Sequence, residues 1–87
     1  MNQLVKEKLK KIRQESPCLH IGKKGITPLL MKELKDRIKQ NKMIKLKILK
    51  NSPYKSRSEA FEDLKNSVPR NGKIMEIRGW TAVLRKR

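Results

Sequence analysis

The sequence predicts an α/β fold: a single compact domain over residues 1–87, with three helices packed on a small mixed four-stranded sheet in the order α-β-α-β-α-β-β. Three observations predict it. Apolar residues recur at helical spacing in three blocks and at strand spacing in the segments between them. Helix starts are spelled out at Thr27-Pro28 and at Ser56-Arg57-Ser58-Glu59. The last two strands are separated only by Gly79-Trp80, which fits a tight hairpin turn.

Residues 2–15 read as an amphipathic helix with Leu4, Val5, Leu9 and Ile12 on one face and Asn2 as its cap. Pro17 ends it by pushing Ser16 out of the helical region. Lys6, Lys10 and Arg13 form a positive stripe on the outer face, while Glu7 is spaced to pair with Lys11. Cys18 to Ile21 is a short strand that ends at Gly22. A second helix runs from Pro28 to about Gln40, buries Leu30, Leu34 and Ile38 with Met31 beside them, and ends on Asn41. Its acids are spaced for the pairs Glu33–Arg37 and Asp36–Lys39.

Met43 to Lys50 is a strand in which Ile44, Leu46 and Ile48 alternate with Lys45 and Lys47. One face packs and the other presents charge. Asn51 to Lys55 is a turn, and the Ser56 capping box opens a third helix with Ala60, Phe61, Leu64 and Val68 inward. Lys73 to Arg78 and Thr81 to Lys86 are the final strands. Met75 and Ile77 share one face of the first, while Ala82 and Leu84 lie on one face of the second with Val83 on the other.

Charge narrows the class of partner. The chain carries 24 Lys and Arg against 8 Asp and Glu, a formal net charge of +16. A field of that size favours a polyanion, and it opposes folding by self-repulsion. RNA and DNA are the leading partners and an anionic membrane a weaker one. A lysine-rich thermophile surface would carry matching glutamates, and these are too few. Tyr54, Phe61 and Trp80 are too scarce to form an aromatic platform that stacks several bases. The single Cys18 excludes an internal disulfide, and with one histidine, His20, it cannot complete a zinc site. A reducing, cytoplasmic location follows, with no apolar signal core near Met1 and no run of membrane-spanning length.

The stretch that carries chemistry is His20-Ile21-Gly22-Lys23-Lys24-Gly25-Ile26-Thr27-Pro28. Glycines allow positive φ and close approach of a ligand to the backbone. Thr27 caps a helix whose unsatisfied N–H groups and partial positive charge face back at the loop. Lys23 and Lys24 in front of that N-terminus make a site for an anion, and the composition says the anion is a nucleic-acid phosphate. A Gly-x-x-Gly loop alone is a common chance match, read most simply as a tight turn with solvated lysines. Its context raises it: a strand before, a capped helix after and lysine at both variable positions. Lys32 and Lys35, one to two turns into the helix, extend the footprint.

His20 reads as a structural strand residue and Cys18 as a small core residue. Trp80 in its turn either stacks on a base or covers the core. No histidine, cysteine or carboxylate has a partner spaced for catalysis, so no enzyme, cofactor, metal or small-molecule substrate is expected.

The run from Ile21 to Pro28, its helix and Lys42-Met-Ile-Lys-Leu-Lys-Ile48 resemble the CRM (chloroplast RNA splicing and ribosome maturation) domain, whose stand-alone members are the YhbY-type proteins. The resemblance extends from about Leu4 to Arg85 and closes on the Arg78-Gly79-Trp80-Thr81-Ala82-Val83-Leu84 hairpin. Departures are Asn41-Lys42, where relatives often carry His-Glu, Arg85 in place of tyrosine, and a short segment between Leu49 and Gly72. The family likeness implies a domain similar to the C-terminal domain of bacterial translation initiation factor three. It also implies a loop that works on RNA backbone as the glycine loop of KH domains does. Stand-alone bacterial relatives associate with precursors of the large ribosomal subunit, and plant relatives assist group II intron splicing. A lysine-rich single domain of this kind fits an archaeal source. The expectation is a monomeric protein that binds structured RNA during ribosome assembly through Gly22, Lys23, Lys24, Gly25, Thr27, Lys32 and Lys35. Its rivals are a permanent structural ribosomal protein and an architectural DNA-binding protein.

Overall fold

In a computed structural model that describes residues 3–87, the apolar repeats fold into seven elements. These are α1 (Gln3–Gln14), β1 (Leu19–Ile21), α2 (Pro28–Asn41), β2 (Met43–Ile48), α3 (Arg57–Ser67), β3 (Gly72–Arg78) and β4 (Thr81–Lys86). The expected α-β-α-β-α-β-β order and the mixed four-stranded sheet are both present. The Asn2 cap lies outside the described residues. Across the sheet the strands run β1-β2-β4-β3, with β1 parallel to β2 and β4 antiparallel to both its neighbours.

Strand alternation decides how the helices are distributed. Ile44, Leu46 and Ile48 of β2 and Ala82 and Leu84 of β4 face Leu34 and Ile38 of α2 and Ala60, Phe61 and Leu64 of α3. Met43 and Val83 point the other way and meet Leu9 of α1, flanked by Val5, Ile12 and Met75. The three helices therefore cover both faces of the sheet, α2 and α3 on one and α1 on the other. Met43 and Ile44, and likewise Ala82, Val83 and Leu84, are buried in succession because both sides are covered.

Several local expectations are corrected. Leu4 is 70% exposed and leaves the α1 packing stripe to Val5, Leu9 and Ile12. Asn41 is the last residue of α2 and not its cap; the cap is Lys42, at φ +61°, whose N–H donates to the Ile38 carbonyl at 3.1 Å. Met75 and Ile77 do not share a face. A bulge shifts the register between Ile74 and Glu76, so Ile74 and Ile77 join the α2/α3 core while Met75 packs beneath α1. Cys18 is exposed, although its N–H still pairs with the Lys45 carbonyl at 2.9 Å.

The bulge also fixes α1. It brings Glu76 opposite Val83, on the α1 side, where Arg13 donates to its carboxylate from Nε at 2.9 Å and from an outer nitrogen at 2.5 Å. Arg13 is thus removed from the outer stripe, and Lys6 and Lys10 remain on it, exposed. Lys45 is not a presented charge. Its Nζ donates to the Arg13 and Glu15 carbonyls at 2.9 and 3.1 Å, satisfying acceptors at the end of α1. Of the pairs expected within helices, Glu33–Arg37 forms at 3.9 Å. Glu7 instead accepts from Gln3 at 3.5 Å.

Candidate nucleic-acid interface

The topology gathers one end of the domain. Strands β1 and β2 run in parallel, so their C-terminal ends lie together, and the β3–β4 turn reaches the same end because Thr81 is opposite Lys47. Helices α2 and α3 each start there, directly after the strand that leads into them. Crevices at the carboxyl ends of strands are where open α/β sheets take ligands.

At this end, residues 22–25 form a closed turn in which the Gly25 N–H donates to the Gly22 carbonyl at 2.9 Å. Lys23 and Lys24 are its two central residues, and both are exposed. Gly25 is required by geometry. Its φ is +67°, and an added Cβ would lie 3.0 Å from Pro53 Cγ and 3.3 Å from Tyr54 Oη. Gly22 is not required in this way: an added Cβ would meet Asn51 and Leu49 at an ordinary 3.8 Å. The expectation that both glycines shape the loop narrows to Gly25.

The turn feeds directly into α2. Thr27 Oγ1 accepts from the Leu30 N–H at 3.1 Å and Pro28 occupies the first turn, as the sequence predicts. Thr27 is half-buried, so its part is to hold the helix start. Ser56 does the same for α3, accepting from the Glu59 N–H at 3.2 Å. The Glu59 carboxylate reaches back one residue further than a capping box requires, to the Lys55 N–H at 3.0 Å. Two helix N-termini with their partial positive charges thus share an end with the exposed cations Lys23, Lys24, Lys50, Lys55 and Arg57.

The turn is braced by residues the sequence reading did not single out. The Ile26 N–H donates to Tyr54 Oη at 3.2 Å, and the Tyr54 hydroxyl donates to Asp63 of α3 at 2.6 Å. Burial and the Asp63 hydrogen bond push the Tyr54 phenol up to about 12, so it stays a donor across the physiological range. No local pattern links Tyr54 to Ile26, and the only hint was a turn residue next to Ser52-Pro53. Leu29, in the first turn of α2, is 76% exposed beside the loop and was also missed.

The remaining expected residues divide by distance. Lys32 and Lys35 are exposed on α2, roughly 8 and 12 Å along the axis from Thr27. The Lys35 carbonyl accepts from Asn71 at 3.3 Å, and Asn71 belongs to the loop at the opposite end of the sheet. Lys32 therefore adjoins the turn and Lys35 lies between the two ends. Lys6 and Lys10 are on the far face with α1. His20 is an exposed residue of β1. Among the described residues no group of three or more His, Cys, Asp or Glu side chains could hold a metal ion. No helix among them is long and apolar enough to cross a membrane.

A braced turn that displays two cationic side chains in front of a capped helix, with the helix's partial positive charge behind it, can cradle a phosphate. The class of protein is a non-catalytic RNA-binding module, and it is the family match that shows it. The chain matches the CRS1 / YhbY (CRM) domain over residues 2–86 and belongs to that family. No curated protein matches the chain.

Proposed function

We propose that this chain is a single RNA-binding module, residues 1–87, that holds structured RNA at the 22–25 turn and acts without catalysis as a cytoplasmic, monomeric ribosome-assembly factor. Lys23 and Lys24 contact phosphate, Gly25 holds the shape of the turn that presents them, and Gly22 lies at its entry, where the chain passes beside the phosphate. Thr27 keeps the α2 N-terminus in register, and Lys32 and Lys35 extend the track along α2. The observation that carries the reading is the closed turn with two exposed lysines, pinned by Tyr54 in front of a capped helix. Family membership supports RNA as the polyanion. The resemblance to the stand-alone family members supports ribosomal RNA.

The test is the double variant K23A/K24A, measured for RNA affinity across a salt series. Removing two phosphate contacts flattens the log–log slope by roughly one to two units. An unchanged slope and affinity in a folded variant rejects the turn as the site. Sedimentation then tests the ribosomal part: an assembly factor travels with subunit precursors, whereas a structural protein stays with mature subunits in high salt.

A further inference from the structure

Trp80 is the residue at the ligand end that the phosphate cradle leaves unused. It is 42% exposed, an unusual position for the chain's one tryptophan in a protein with so few aromatics. Its backbone is fixed. The Trp80 carbonyl accepts from the Ile48 N–H at 2.8 Å, and the Thr81 hydroxyl donates to the Arg78 carbonyl at 2.8 Å. The turn's other residue, Gly79, has φ +56°, and its carbonyl accepts from Arg57 Nε. The same Arg57 guanidinium lies 5.2 Å from the centre of the Phe61 ring, so it is held between α3 and the hairpin tip. A guanidinium has five N–H donors, and one of them is committed to Gly79.

The tip is also close to the phosphate cradle. Ile48 bonds the Trp80 carbonyl on one side, and the next residue, Leu49, donates to the Ile21 carbonyl at 2.9 Å on the other. Two strand spacings, roughly 10 Å, therefore separate the Trp80 backbone from the step into Gly22. We propose that Trp80 is a base-stacking site: an unpaired nucleobase of the RNA lies on the indole, and Arg57 faces the adjoining phosphate. This rests on the reading of the 22–25 turn as the phosphate cradle and adds the form of RNA it takes. A π-face accepts a base only where that base is unpaired or splayed out, so the preferred target is a loop, bulge or strand end. The Arg57 guanidinium at the hairpin tip, with the exposed Lys50 and Lys55 on the loop that leads into α3, favours a nucleotide over an apolar protein surface at this position.

Because Trp80 is the only tryptophan, its fluorescence reports on the site directly. The probes are a stem-loop RNA with an unpaired loop and a blunt, fully paired RNA duplex, titrated at matched salt. The stem-loop quenches the emission and the duplex does not. W80A loses stem-loop affinity by roughly 5- to 150-fold, keeps its salt slope and binds the duplex as before. W80F recovers most of the loss, and an unchanged melting profile of W80F guards against a folding defect. K23A/K24A behaves oppositely, flattening the slope for both RNAs while the stem-loop still quenches at saturation. Equal stem-loop affinities for W80A and the parent protein, with no quenching at saturation, overturn the stacking site and leave the cradle standing. Emission that shifts with protein concentration in the absence of RNA, and is lost with self-association in W80A, also overturns it by assigning Trp80 to a protein contact.

Discussion

The two faces of the sheet are held by different means. On the α2/α3 face, Leu34, Ile38, Leu64 and Leu84 are sealed from solvent within a continuous apolar core. On the α1 face the buried set is Leu9, Met43 and Val83, and polar contacts do much of the fastening. Arg13 clamps Glu76, and Lys45 satisfies carbonyls at the end of α1. The difference shows that a surplus of cations is not one resource. Some are consumed in holding a helix to the sheet, while Lys23 and Lys24 are displayed on a turn whose bracing comes from Tyr54, Asp63 and Gly25.

The largest effect tests the asymmetry itself. Leu34→Ala opens a cavity in the main core and destabilises the domain by about 2–5 kcal/mol, measured by denaturant unfolding. Leu9→Ala lies at or below the bottom of that range, because fewer neighbours lose contact with it. Equal losses would mean that α1 is as deeply integrated as α2. A second comparison sits inside the turn. Gly25→Ala forces a side chain into positive φ and against Pro53, costing about 1–2 kcal/mol and weakening RNA binding as the turn shifts. Gly22→Ala leaves stability within about 0.5 kcal/mol, since its backbone and surroundings accept a methyl group. A Gly22→Ala penalty as large as that of Gly25→Ala would restore the symmetric reading of the two glycines.

These contrasts mark what the sequence made legible. Helical and strand periods located all seven elements, because each buries a face and burial imposes a period. The α2 and α3 starts were readable because a cap is a local bond over three residues, as at Thr27–Leu30 and Ser56–Glu59. The side of the sheet that Met75 takes was not readable. One bulge residue inverts the alternation, and the bulge answers to β4 and α1, not to its own neighbours. Lys45 and Arg13 look like any other lysine and arginine until α1 is laid over β2 and the bulge in β3. The candidate site was legible at Lys23, Lys24, Gly25 and Thr27, which lie in one short run. Tyr54, Asp63 and Leu29 were not, because what brings Tyr54 and Asp63 to the turn is the tertiary fold.

A pH series separates the cations that hold the fold from those displayed on the turn. The Arg13 hydrogen bonds keep the Glu76 carboxyl below its ordinary value of 4.5, with Arg78 adding a weaker pull. A carboxyl whose folded pKa is depressed stabilises the fold above its unfolded pKa and loses that contribution as pH falls through the folded value. Glu76→Gln therefore lowers the melting temperature at neutral pH by less than Leu34→Ala does. The gap to the parent protein holds down to about pH 4.5 and closes as the solution becomes more acid. The same variant leaves the Arg13 charge uncompensated on the α1 face. If RNA is confined to the 22–25 end, the salt slope of binding does not change. If RNA also wraps the α1 face, the uncompensated Arg13 charge steepens the slope by about one unit, and Lys6 and Lys10 would have to be counted as part of the interface.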